Sequence, residues 1–228
     1  MEYLPGGVTL HLPPEGFPLS TDSILLAHFV KLPRNAKVLD LGSGCGTLGL
    51  QLCAKDPNCT VTGIEIDEKA HTAALDNIRR NGMEHRLSSI CADLRSFATE
   101  PGSYHVAVSN PPYFSGGPAS ATHATARQDD FCPPEALFAA VGRAIKYGGE
   151  FYIVHKPEKL AQLIACAAAN HLEAKRLRLI RHRENGPVAL ILLQFKKGGK
   201  PGLIWEEQSL YTSNGEETPY FKEVYHIT

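Results

Sequence analysis

Val38-Leu39-Asp40-Leu41-Gly42-Ser43-Gly44-Cys45-Gly46 decides the fold. A short apolar strand runs into three glycines at alternate positions. Gly42, Gly44 and Gly46 let the backbone bend sharply and approach a ligand without side-chain clashes. A helix is expected from 46 to 55, with its N-terminus aimed at the turn. The spacing G-x-G-x-G, with Asp40 before it, differs from the G-x-G-x-x-G of nicotinamide enzymes. An ordinary strand-to-helix turn would need no such pattern.

Outward from this turn the chain alternates. Strands are expected at 37–41, 60–65, 86–91, 104–109, 148–155, 174–181 and 188–196. Helices are expected at 68–81, 134–146 and 157–170. Such alternation predicts a mostly parallel sheet with helices on both faces. Residues 1–20 are rich in Pro and Gly and read as irregular or short-stranded. Ser20 or Thr21 can cap a helix reaching about Val30, and its apolar residues point all round, so it should be buried.

Gly63-Ile64-Glu65-Ile66-Asp67 ends the second strand of this pattern, about 20 residues after the glycine turn. A carboxylate there can accept both hydroxyls of a ribose. Glu65 is the candidate, and Asp67 is expected to cap the next helix. Ser109-Asn110-Pro111-Pro112-Tyr113-Phe114 ends a later strand, about 70 residues beyond the glycines. An aromatic amine is a poor nucleophile because its lone pair is delocalised. The Asn110 side-chain oxygen and the Pro111 carbonyl can accept its two hydrogens. Tyr113 can stack on a base, and Phe114 can wall the pocket. Taken alone, Asn-Pro is also a common turn opener.

The glycine turn and the Asn-Pro-Pro-Tyr loop together resemble the class I S-adenosylmethionine-dependent methyltransferases that modify exocyclic amines. That resemblance implies a Rossmann-like α/β fold with a seven-stranded, mostly parallel sheet ending in an antiparallel hairpin. The turn Arg183-Glu184-Asn185-Gly186-Pro187 fits the hairpin. It also implies S-adenosylmethionine as cofactor and S-adenosylhomocysteine as product. Asp93, in Cys91-Ala92-Asp93-Leu94, matches the position that accepts the cofactor's adenine amine; its other reading is a turn residue. Thr21 and Asp22 match polar positions that close over the methionine end, or serve only as helix caps. Asp40, Gly42, Gly44, Gly46 and Asn110 complete the expected cofactor contacts.

The same loop serves enzymes that methylate guanine amines in ribosomal RNA or a glutamine amide in peptide release factors. Those glutamine enzymes carry a sizeable helical N-terminal domain, whereas about 37 residues precede the first core strand here. From about residue 15 to Tyr211 the chain resembles transfer-RNA adenine methyltransferases acting on an anticodon-loop adenine. The expected organisation is a single domain: an N-terminal segment and covering helix at 1–35, a methyltransferase core at 36–200 and an extension at 201–228. A catalytically inactive nucleotide-binding module remains the reading from another class.

Composition narrows the partners. The 228 residues are 43% hydrophobic and carry a formal net charge of −1. A generic nucleic-acid binder is more basic, so contact with RNA must come from a local patch. Lys175, Arg176, Arg178, Arg181 and Arg183 supply one. Arg176 and Arg178 share a strand face, and the patch reads either as an RNA contact or as a charged edge strand. Arg127 lies in a long loop at 115–133 and resembles a family position near the target. The apolar runs are too short to span a membrane. The six cysteines include no CxxC pair, so no zinc or other metal site is expected. Cys132-Pro133 reverses the Pro-Cys order of cytosine-C5 methyltransferases. A cytosolic monomer with reduced thiols is the simple expectation.

Overall fold

The computed structural model describes residues 2–12, 21–112 and 133–226. Ser20, Tyr113, Phe114, Arg127 and Cys132 lie outside the described residues. A small antiparallel hairpin comes first, β1 (Glu2–Leu4) with β2 (Val8–Leu10). Then follow α1 (Thr21–Phe29), β3 (Lys37–Leu41), α2 (Thr47–Lys55), β4 (Thr60–Glu65), α3 (Glu68–Arg80) and β5 (Leu87–Cys91). The second half contains β6 (Tyr104–Ser109), α4 (Pro134–Ala144), β7 (Ile145–His155), α5 (Leu160–Ala169), β8 (Leu172–Arg183) and β9 (Val188–Lys197). β10 (Ile204–Tyr211) and α6 (Pro219–Tyr225) end it.

The main sheet runs β10-β8-β9-β7-β6-β3-β4-β5, with β9 antiparallel to both neighbours and the other pairs parallel. This is the expected architecture with one strand more. The chain leaves β3 on one side for β4 and β5, then returns to the other side with β6. Doubly wound sheets bind ligands at such a switch point, beyond the carboxyl ends of the strands. One apolar core lies between the sheet and α1, α2, α3 and α6, and the other between the sheet and α4 and α5.

Helix α1 is buried nearly all round, as its composition predicts. Its C-terminus is closed by the Lys55 ammonium, which donates to the carbonyls of Ala27, His28 and Val30. A cation suits the negative end of a helix dipole. Lys197 does the same for α4, donating to the carbonyls of Gly142 and Ile145. That helix ends at Ala144, and residues 145–146 join β7 where the pattern predicted helix. The predicted helix at 157–170 opens as a 3-10 turn at Pro157–Lys159 before α5.

The strand bearing Arg176 and Arg178 is not an edge. β10 pairs with it in parallel, setting Glu206 beside Arg178 in register. Both guanidiniums bind the Glu206 carboxylate, and Arg176 stacks over the Phe29 ring at 4.3 Å. Arg181 pairs with Glu207, and the Lys175 ammonium donates to the Lys200 carbonyl. The edge-strand expectation for the pair Arg176 and Arg178 does not survive. Arg176 is only 9% exposed and Arg178 half-buried, so both charges contribute to packing. A cleft of about 700 Å³ beside them, lined also by His28, Lys55 and Glu223, lies at the end of α1 opposite Thr21.

Candidate active site

Strand register brings the sequence motifs to one place. Asp40 on β3 is level with Gly63 on β4 and Val108 on β6. Two residues further along each strand lie Gly42, Glu65 and Asn110. Glu65 is level with Cys91 on β5, and two residues beyond that is Asp93. The Ser109 hydroxyl donates to the Leu41 carbonyl at 2.7 Å, tying the ends of β3 and β6 together.

Gly42, Gly44 and Gly46 all have positive φ, at 72°, 54° and 82°. A Cβ at Gly42 or Gly44 would meet only open space. Their glycine requirement is therefore conformational, and the turn leaves a shallow cradle. The amides of Gly42 and Ser43 both donate to the Ile64 carbonyl. Glu65 is held from two sides. One carboxylate oxygen accepts the Gly44 amide and the other accepts the Asp67 amide, each at 2.8 Å. The carboxylate keeps further lone pairs for a diol, in a fixed orientation. Asp67 accepts the Ala70 amide and caps α3, as predicted.

Asp40 is 1% exposed and lies beneath the turn. One oxygen is buried without a hydrogen-bond partner. Burial, and then the charge of Glu65, push its carboxyl up to about 7 against the opposing Gly49 amide. The ordinary value is 3.8, so the folded chain holds a proton through an interval where the unfolded chain has lost it. The stability this contributes is complete below about 4 and is lost as pH rises through about 7. Carbon-13 carboxyl titration, assigned with Asp40→Asn, is expected to find a midpoint near neutrality. A midpoint in the usual carboxylate range would sink the burial argument.

Asp93 follows β5, and both its oxygens bind the Arg95 guanidinium. That hydrogen bonding holds its carboxyl below the ordinary range, against the effect of burial. Asn110 follows β6, and its amide Nδ2 donates to the Ser23 hydroxyl on α1 at 2.8 Å. Pro111 is buried and Pro112 exposed. Thr21 and Asp22 stand in the first turn of α1, and the Tyr225 hydroxyl of α6 hydrogen-bonds the Thr21 side chain.

Sequence reasoning missed four residues at or beside the site. Ser23 reads as one polar residue within an apolar helix. Asn77 is fully buried, takes the His11 amide and donates to the carbonyls of His11 and Cys45, so it joins the N-terminal hairpin to the glycine turn. Asn81, one helical turn on, grips the backbone of Thr9. Two asparagines at i and i+4 were the available signal. His155 closes β7, buried, with its Nδ1 accepting the Lys156 amide. Desolvation, with Lys159 nearby, lowers its imidazole to about 4 and keeps it neutral.

The family model for the methyltransferase small domain matches residues 20–175. The chain is 32% identical over 186 residues to a tRNA1(Val) (adenine(37)-N6)-methyltransferase of Dickeya chrysanthemi, covering 80% of this chain and 74% of the relative. An enzyme of the same description from Bacteroides fragilis is 28% identical over 215 residues, covering 91% and 90%. Among solved structures, a predicted O-methyltransferase from Agrobacterium tumefaciens superposes with a TM-score of 0.73 at 19% identity, covering 90% of this chain and 96% of that one. This last likeness concerns the fold alone.

Proposed function

The chain belongs to the methyltransferase small domain family, and from that membership we propose that it methylates the exocyclic N6 amine of adenine in transfer RNA. Its relatives' names put the target at adenine 37 of tRNA1(Val), and the same nucleotide is the expected substrate here. It is an S-adenosylmethionine-dependent methyltransferase. The observation that carries this reading is the convergence of the glycine cradle, Glu65 and Asn110 at the carboxyl edge between β3 and β6.

S-adenosylmethionine, when bound, supplies a methyl group on a positively charged sulfur. Gly42 and Gly44 offer close backbone approach, Glu65 takes the ribose hydroxyls, and Asp93 reaches the adenine end. Thr21 and Asp22 cover the methionine end from α1. Asn110 Oδ1 and the Pro111 carbonyl accept the two hydrogens of the target amine. They draw its lone pair out of the ring and stabilise the positive charge that gathers on nitrogen. The surplus proton leaves along one of these hydrogen bonds to water. Tyr113 and Phe114 hold the flipped base, and Arg127 takes a phosphate. No metal enters this scheme, and a cytoplasmic monomer is its simplest setting.

Labelled S-adenosylmethionine incubated with bulk transfer RNA, and separately with peptide release factor, tests the acceptor. Label is expected in RNA as N6-methyladenine, identified by nucleoside mass spectrometry. Label in protein alone would end the adenine reading and leave a glutamine amide as acceptor.

A further inference from the structure

We propose that Asn77 is a positioning residue for the cofactor cradle, holding the Cys45–Gly46 peptide of the glycine turn in one orientation. The inference deepens the cofactor half of the function proposed above and rests on that half alone, so it does not depend on the acceptor.

A glycine-rich turn bends easily, and it can rearrange as easily. Gly46, at φ 82°, carries no side chain, so the peptide plane between Cys45 and Gly46 turns against little steric resistance. A half-turn of that plane exchanges a carbonyl for an amide along the cradle. Here both polar ends of the plane are pinned. The Gly46 amide donates to the Ser43 carbonyl at 2.9 Å. The Cys45 carbonyl accepts from Asn77 Nδ2 at 3.1 Å, a contact that reaches across from α3.

Asn77 is itself held from the N-terminal hairpin side. Its Oδ1 accepts the His11 amide at 2.8 Å, and Nδ2 also donates to the His11 carbonyl at 3.0 Å. A backbone amide can only donate and a carbonyl can only accept. These three partners therefore admit one orientation of the carboxamide. The residue is fully buried, where a carboxamide costs stability unless it is hydrogen-bonded. Packing alone would be served by an apolar side chain. Ala74, one turn earlier on α3, is also fully buried, and its Cβ would stand 3.5 Å from a Cβ placed on Gly46. Helix α3 thus lies directly against the turn, and Asn77 is where the hairpin, the helix and the cradle meet.

The test compares Asn77→Ala with Asn81→Ala. Asn81 bonds the Thr9 backbone of the same hairpin from the same helix, but its bonds go to Thr9 and Asn77 and not to the turn. Both variants should lower the melting temperature. Only Asn77→Ala should change cofactor affinity. By titration calorimetry its dissociation constant for S-adenosylhomocysteine is expected to rise roughly tenfold, the scale of one lost hydrogen bond, with Asn81→Ala within about twofold of wild type. Wild-type affinity in Asn77→Ala, or an equal loss in both variants, overturns the proposal. A second arm uses the wild-type protein alone. Fixing the turn fixes the asparagine, and linkage makes that effect reciprocal. S-adenosylhomocysteine should therefore slow amide exchange at His11, held by Asn77, several-fold more than at Thr9, held by Asn81. Equal slowing at the two amides, or none at His11, counts against the assignment as decisively. Wild-type protein that binds no S-adenosylhomocysteine would remove the cradle and this inference with it. Normal cofactor binding beside unmethylated RNA would remove only the proposed substrate.

Discussion

Asn110→Ala is expected to slow methyl transfer by roughly 100-fold or more while cofactor affinity stays within a few-fold of wild type. The side chain sits at the end of β6, and its amide nitrogen is already committed to Ser23. On the function proposed above, the oxygen is the part that accepts from the amine. Its effect grows as positive charge develops on nitrogen, so it acts more on the transition state than on the bound ground state. Removing such a group lowers kcat and kcat/KM together. Asn110→Asp keeps an acceptor, and Ser23 can rotate its hydroxyl to donate, so it should retain more activity than alanine. Single-turnover rates with titration calorimetry for S-adenosylhomocysteine separate the two effects. Wild-type turnover in the alanine variant would mean that Asn110 has been misassigned.

What could be read from the sequence follows the range of the interactions involved. The ends of β3 and β6 were legible because each run is stopped by glycine or by Asn-Pro, and that of β4 because Glu65-Ile66-Asp67 closes it; parallel register then aligns the stops. The Asp67 cap was legible because it acts within three residues. β10 was not. Ile204-Trp205-Glu206-Glu207-Gln208 has no clean alternation, and Trp205 remains largely exposed. Its place is set by Glu206 meeting two arginines about 30 residues away, a pairing no local pattern announces. The same contact changes how the basic run reads. Five basic residues in nine looked like a patch for phosphates, because sequence gives charge without showing its partner. Ser23 was hidden in the same way, its partner being in another motif.

Glu206→Ala should accordingly be the most damaging change to stability outside the apolar cores. Arg176 and Arg178 have side chains only 11% and 13% exposed, and both rely on this carboxylate. Burial works to raise the Glu206 carboxyl, but hydrogen bonds and charge from Arg178 and then Arg176 outweigh it and hold it below its ordinary value. The pair's contribution is thus present above the ordinary carboxylate range and fades as pH falls through the lowered value. Removing one partner of a buried ion pair leaves the other charge unpaired, at a cost of several kcal/mol. Glu206 is itself a quarter exposed, so water offsets part of this, and about 3 kcal/mol is the expected loss. For a chain of this size that lowers the melting temperature by roughly 6–12 °C. The paired change Arg176→Glu with Arg178→Glu would bring three carboxylates together and should unfold the region, so reduced RNA binding in that variant would say nothing about a phosphate contact. A triple replacement of Arg176, Arg178 and Glu206 by leucine is the informative one. It removes both charges and their counter-ion, so melting should stay near wild type, as apolar replacements of buried ion triads do elsewhere. Transfer-RNA affinity measured on that variant should also be unchanged. A well-folded triple variant that had lost RNA binding would return these two arginines to the substrate interface.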